Sequence, residues 1–343
     1  MVTPRVTSTV TPIVAITIGD PAGIGAEVCV SAIAHGQLDG VCEPLLIGDA
    51  GVVRRAAQVC GIGLPIVTIK SIGELVRGQR AIQVLDPGSA DVSACGYGAP
   101  SAAAGHAVLD WIANGTRLGA SGAIQGLVMG PIDTYSVLAT GRVQDIDELQ
   151  PANTFMLRIT GKLRAVPLSE HVRLSEAIDM VTPERVLRVV RLVNDTLKSW
   201  GVNAPRIAVA GINPHAMFAE DREKIGPAIE QAVALGIDAS GPAVPDAVFR
   251  QTMEGRFDAV VTMFHDQGQI AVKTAGFEGA CTVYLGLPYV MLNVPHGVAF
   301  DIAGTGRAQH RSMLAAIRTA ASLAAGHGLG ASLSADLHAS VTG

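Results

Sequence analysis

The sequence predicts an α/β fold: two α/β/α domains with mainly parallel sheets and a cleft between them. Three observations lead there. Short apolar runs such as IVAITI (residues 13–18) and AIQGLVM (123–129) alternate with longer helical stretches, the pattern of strands joined by crossover helices. The first run ends in a Gly-rich turn, GDPAGIG, followed by a helical stretch, which is how an α/β unit opens. The chain has 343 residues and is 49% hydrophobic, enough for a large core, and at roughly 100–200 residues per domain two domains are the natural count.

Taken in order, residues 13–18 read as a buried strand and 26–34 as a helix. Residues 43–47 and 81–85 read as strands, 101–113 as a helix, and 123–129 as a strand ending at Gly130-Pro131. The polar, acidic stretch RVQDIDELQPAN (142–153) reads as a loop facing a cleft. A strand is expected at 164–168. A helix should follow over 182–200, with Thr182 as N-cap and Pro183 at the first helical position. Strands at 206–210 and 259–263 flank a helix at 223–235, and a Gly-rich loop (295–306) precedes a last helix at 312–325. The domain division is 13–130 plus 295–335, carrying the cofactor loop, and 131–294, carrying metal histidines, substrate contacts and a dimer interface. Residues 1–12 read as a disordered tail and 332–343 as frayed.

Composition excludes several classes. Net charge is -5 with no basic tract, which argues against nucleic acid as a partner. The five cysteines, Cys29, Cys42, Cys60, Cys95 and Cys281, show no CxxC or paired spacing. That argues against a disulfide framework and fits a reducing cytoplasm. The first twelve residues lack the apolar core of a signal peptide, and no apolar run approaches the ~20 residues of a membrane span.

Three histidines stand just past apolar segments: His171 in LSEHVRLSEA, His215 in GINPHA and His265 in MFHDQG. Neutral imidazoles ligate Zn²⁺, Fe²⁺, Co²⁺ or Ni²⁺, and three of them leave a position open for a substrate oxygen. Each alone is also what a turn or cap residue looks like. GDPAGIG matches neither the dinucleotide fingerprint nor a P-loop, so a packing turn and a cofactor role both stand. The segment PHGVAFDIAGTG resembles the adenosine-binding loop of the isopropylmalate dehydrogenase group. The resemblance implies that His296 packs on adenine, with Gly297, Ile302 and Gly304 shaping the loop. It also places Asp301 at the ribose hydroxyls, where a carboxylate favours NAD over NADP.

GDPAGIG, NPHA, HDQG, LGLP and the HG-x-A-x-D-x-AG-x-G loop occur together in the order and spacing of the 4-hydroxythreonine-4-phosphate dehydrogenase family, from about Ile13 to Arg307. The resemblance implies a homodimer with the active site shared at its interface. It implies a divalent metal on His171, His215 and His265, drawn from both subunits. Zn²⁺ comes first, with Mg²⁺, Mn²⁺, Co²⁺ or Ni²⁺ as alternatives. Lys273 matches the family's substrate-binding lysine, and Asp246 an acidic position suited to proton transfer. Four substrate positions depart from the pattern: an ungapped count puts Asp147 and Glu148 where the family has His and Thr, Thr282 where it has Asn, and Met291 where it has Arg. Two carboxylates would repel a phosphate. The sequence therefore points to a metal-dependent, NAD-linked dehydrogenase of a non-phosphorylated hydroxy-carboxylate, such as a carboxylated cis-dihydrodiol, with decarboxylation following. The alternatives are the parent activity with phosphate contacts rebuilt elsewhere, and a non-catalytic metal- or nucleotide-binding protein.

Overall fold

The computed structural model describes residues 11–88, 91–93, 95–276 and 281–328. The tails expected at 1–12 and 332–343 lie, but for residues 11 and 12, outside these residues. The first half runs β1 (Ile13–Thr17), α1 (Gly25–His35), β2 (Glu43–Ile47), α2 (Ala50–Val59), β3 (Ile66–Ile69), β4 (Ile82–Leu85), α3 (Ala102–Ala120), β5 (Gly126–Met129) and α4 (Thr134–Leu138). It continues through β6 (Phe155–Thr160), β7 (Leu163–Pro167), α5 (Leu174–Asp179), α6 (Pro183–Ser199), β8 (Arg206–Ala210), α7 (Gly226–Ala234), β9 (Asp238–Ala243) and α8 (Val248–Met253). The chain closes with β10 (Ala259–Thr262), α9 (His265–Ala275), β11 (Cys281–Leu285), β12 (Val290–Asn293) and α10 (Arg311–Ala324).

The fold is mixed α/β with a mainly parallel sheet. All twelve described strands join one sheet in the order β3-β4-β2-β1-β5-β12-β11-β6-β7-β10-β8-β9. Parallel pairing fails at three neighbouring places: β12 with β11, β11 with β6, and β6 with β7. Val14, Ala15, Ile16, Leu127 and Val128 in the middle strands are wholly buried, as expected of strands covered on both faces. Among the described residues no helix is long and apolar enough to cross a membrane.

Local chemistry explains the boundaries. Thr182 caps α6 by accepting the Arg185 N–H, with Pro183 in its first turn. Helix α3 starts after the Ser101 cap and runs seven residues beyond the length read from sequence, to Ala120. Gly115 and Gly119, which look like stop signals, instead admit Leu127 and Tyr289 against the helix backbone. The acidic stretch after Arg142 holds a single short 3-10 turn, Ile146–Leu149.

The GDPAGIG turn is clasped on two sides. Gly19 has φ +73, and a Cβ there would lie 2.2 Å from the Pro131 carbonyl oxygen. Asp20 N–H donates to that same oxygen at 2.9 Å, and Ile24 N–H donates to the Val298 carbonyl at 2.9 Å. The turn thus ties the end of β5 to the loop after β12. Asp20 is wholly buried; one carboxylate oxygen accepts the Ala22 N–H at 2.8 Å while Oδ2 has no hydrogen-bond partner of good geometry. Burial raises its pKa above the usual carboxylate value, with Asp133 adding repulsion. A raised folded pKa means that the native state holds this proton more tightly than the unfolded chain, so the stability it brings fades as pH rises through that pKa. Asp20→Asn should therefore raise Tm by roughly 2–4 °C near pH 7.5, and the gain should shrink toward zero near pH 4. Paired melting curves at the two pH values check it.

Candidate active site

A cleft of about 320 Å³ opens where the parallel strands on both sides of β11 and β6 end. Ligands bind such sheets beyond the carboxyl ends of the strands. His171 follows β7, His265 begins α9 after β10, and His296 follows β12; all three line the cleft with Asp147, Lys273 and Thr282.

The rings of His171 and His265 have centroids 4.8 Å apart. Each engages a carboxylate through Nδ1: His171 with Asp147 Oδ1 at 2.5 Å, His265 with Asp266 Oδ1 at 2.7 Å. With the proton assigned to Nδ1, each Nε2 is left as a lone-pair donor, which is how carboxylates orient metal-ligating histidines. This donor pair fits a divalent metal. Among the described residues, no three His, Cys, Asp or Glu side chains gather as a metal site within the chain. His215 does not join the pair: it sits exposed on the turn Pro214–Ala216 and does not line the cleft. Its φ is 58 and that of Ala216 is 52, a left-handed backbone that costs energy for residues with a Cβ and tends to persist at functional sites.

The other sequence candidates separate cleanly. Lys273 reaches the cleft from α9. Asp246 lies exposed after β9 and does not line it. Asp147 lines the cleft, but Glu148 does not, because its Oε1 accepts the amides of Gln144 at 2.7 Å and Asp145 at 3.0 Å in a capping box. Met291 is wholly buried in β12 beside the Tyr289 hydroxyl, away from the cleft. Thr282 stands in the cleft floor, paired across strands with Arg158 on one side and Asn293 on the other.

The floor also holds groups the sequence reading missed. Arg158 is 4% exposed and makes a two-pronged ion pair with Glu170, at 2.6 and 3.1 Å. Burial pushes the Tyr284 hydroxyl up to about 12, with Glu170 contributing. No motif marked these residues; an arginine inside a six-residue apolar run, FMLRIT, was the available signal.

In the loop after β12, the His296 ring bonds through Nδ1 to the Gly297 carbonyl at 3.0 Å and leaves Nε2 buried without a partner among the described residues. Gly297 and Asp301 are exposed and Ile302 half-buried. Glu27 is 1% exposed and its two oxygens accept the amides of Gly304 at 2.6 Å and Gly306 at 2.9 Å. Gly304, at φ +77, lies so close to the Tyr97 ring that a Cβ would come within 2.4 Å of it, and the Arg55 guanidinium stacks 4.6 Å above that ring. A buried acid on α1 therefore fixes the end of the loop.

Comparison with known proteins extends these observations. Residues 40–320 match the family model described as pyridoxal phosphate biosynthetic protein PdxA. A Novosphingobium aromaticivorans protein with the provisional name 4-hydroxythreonine-4-phosphate dehydrogenase is 41% identical over 319 residues, covering 93% of this chain and 97% of that relative. A Symbiobacterium thermophilum protein, provisionally a D-threonate 4-phosphate dehydrogenase, is 37% identical over 325 residues, 92% of this chain and 97% of its own length. Among solved structures, a 4-hydroxythreonine-4-phosphate dehydrogenase from Burkholderia phymatum superposes with a TM-score of 0.79 at 35% identity, covering 92% of this chain and 99% of that one. A terephthalate 1,2-cis-dihydrodiol dehydrogenase from Burkholderia xenovorans LB400 gives 0.68 at 30% identity, over 91% and 98%.

Glu27→Gln tests the loop clamp. The amide keeps one acceptor but turns an NH₂ toward a backbone N–H, leaving a buried donor unsatisfied at a cost of about 1–3 kcal/mol. Thermal melts should show that loss, and titration with a nicotinamide dinucleotide should show weaker binding than wild type. Unchanged dinucleotide binding would separate the clamp from cofactor recognition.

Proposed function

The chain belongs to the pyridoxal phosphate biosynthetic protein PdxA family, and on that premise we propose that it is a metal-dependent, NAD-linked dehydrogenase oxidising a secondary alcohol of a phosphorylated hydroxy acid. The observation that carries the reading is the cleft itself. Two imidazoles, each oriented by a carboxylate, face a lysine, with a dinucleotide-type loop at the rim. The phosphorylated substrate was the alternative in the sequence reading, and it gains ground. Relatives covering nine-tenths of the chain are named for 4-phosphates. Two of the four departures that argued against phosphate, Glu148 and Met291, do not line the cleft. That leaves Asp147, which is engaged with His171, and Thr282, whose hydroxyl can still donate to an anion in the cleft floor.

Hydride acceptance is the nicotinamide's chemistry, and acidification of the substrate hydroxyl is the metal's. The chain's own groups bind and orient. Nε2 of His171 and of His265 supplies two ligands; Asp147 and Asp266 hold the rings at the needed angle. Lys273 neutralises an anionic part of the substrate. His296 packs on the adenine and Asp301 faces the ribose, favouring NAD over NADP. His215 and Asp246 are supplied to the cleft of a second copy, which makes the active site a property of a homodimer. Val172, Leu174, Met217 and Phe218 expose apolar side chains near these elements, a surface suited to such a contact. Zn²⁺, Mn²⁺, Co²⁺, Mg²⁺ or Ni²⁺ could serve, imidazole donors favouring the transition ions.

A second reading keeps the non-phosphorylated substrate. Its support is the 30% identity to a terephthalate cis-dihydrodiol dehydrogenase and the presence of Asp147, which can accept hydrogen bonds from hydroxyls. Decarboxylation belongs to that reading, since oxidation beside a ring carboxylate lets CO₂ leave as aromaticity returns.

Two experiments test these readings. Purified protein with NAD⁺ and a divalent ion should form NADH from 4-hydroxythreonine 4-phosphate or D-threonate 4-phosphate faster than from carboxylated cis-dihydrodiols; the reverse order favours the second reading, and NADP⁺ matching NAD⁺ in kcat/KM removes the role of Asp301. His171→Ala and His215→Ala should each be inactive, yet mixing and re-equilibrating them should restore about a quarter of wild-type activity, because heterodimers then hold one intact site. No recovery in dimers shown to exchange subunits would contradict the shared site.

A further inference from the structure

The ion pair in the cleft floor does more than hold the sheet together. Arg158, Thr282 and Asn293 are successive cross-strand partners on β6, β11 and β12, so their side chains share one face of the sheet, and all three line the cleft. Arg158 is 96% buried, given its 4% exposure. Glu170 takes one N–H from each terminal nitrogen. A guanidinium has five N–H donors, so three remain, and the buried Nε–H has no partner among the described residues. A buried Arg–Glu pair is poor value as a stabilising device, since desolvation offsets most of its attraction. An apolar residue in FMLRIT would fill a core position with no such cost. An arginine there, with spare donors beside a hydroxyl and an amide in a cleft wall, is arranged for an oxyanion.

We propose that Arg158 is the residue by which this enzyme recognises the phosphate of its substrate, with Thr282 and Asn293 as flanking donors. The inference deepens the dehydrogenase reading and rests on it. Fixed by Glu170, the guanidinium presents its free edge without losing side-chain freedom on binding, which is the advantage of arginine over lysine for phosphate. Three kinds of donor in a row suit the three terminal oxygens of a phosphate monoester better than the two coplanar oxygens of a carboxylate. Glu170 both holds Arg158 and opposes an incoming anion. Removing its charge should therefore act opposite to removing the arginine, which a purely structural ion pair would not do.

The test measures binding of inorganic phosphate, with acetate as the planar control, by calorimetry on wild type, Arg158→Met, Arg158→Lys and Glu170→Gln, each checked for a cooperative melt. Phosphate Kd should rise about 10- to 100-fold in Arg158→Met, rise less in Arg158→Lys, and fall in Glu170→Gln. If Arg158→Met does not fold, the opposite shifts in the other two variants still decide. The proposal is overturned if wild type does not bind phosphate, if acetate binds more tightly through the same residue, or if Arg158→Lys and Glu170→Gln shift phosphate Kd in the same direction. Steady-state kinetics separate the two levels. Turnover of a 4-phosphate substrate with unchanged KM in the Arg158 variants sinks this inference alone. Absence of any NAD⁺ reduction by wild type, with Arg158-dependent phosphate binding intact, sinks the dehydrogenase reading alone.

Discussion

The reversal of strand direction at β11 and β6 is the constraint on which the rest of the molecule depends. A parallel sheet offers its ligand-binding loops along one edge only. Here parallel strands lie on both sides of that antiparallel interruption, and the loops that carry His171, His265, His296 and Gly130-Pro131 gather above it. The interrupting strands form the floor. Because side chains alternate along a strand, a slip of one residue in β11 would turn Thr282 out of the cleft and break its row with Arg158 and Asn293. The register between β11 and β6, set over five residue pairs, therefore decides which side chains reach the cleft.

Carboxylates do most of the orienting. Asp147 and Asp266 hold two imidazoles, Glu170 holds Arg158, and Glu27 holds the amides that end the cofactor-type loop. In each case a group that must point in one direction is given a charged acceptor, which fixes it more strongly than a neutral partner would. The arrangement also explains the GDPAGIG turn. Its glycines bring α1 close enough for Glu27 to reach the loop and for Ile24 to bond Val298, so the turn packs α1 against the loop after β12.

Much of this was legible in the sequence. Strands built on apolar runs, such as residues 207–210 of β8, carry their own signal, and the helix over Pro183–Ser199 announced itself through Thr182 and Pro183. What was not legible depended on distant pairing. β6 hides behind Arg158, whose charge is answered by Glu170 twelve residues on. β9, not read as a strand from the sequence, carries a Gly-Pro and is held as a strand by its pairing with β8. Asp147 and Glu148 are neighbours with alike side chains, yet a capping box turns one away from the cleft and leaves the other on His171. Counting along a motif cannot see that. Likewise Met291, placed at a substrate position by alignment, is wholly buried beneath the cleft face.

On the proposed function, His171 and His265 share one metal while the loop ending at Gly304 holds the adenosine of a dinucleotide. A crystal structure of the dimer with NAD⁺ and Zn²⁺ tests it most directly. The account predicts anomalous density for the metal on Nε2 of both histidines, a third imidazole from His215 of the partner subunit, and the adenine against His296. Metal bound elsewhere, or the dinucleotide outside this cleft, would contradict it.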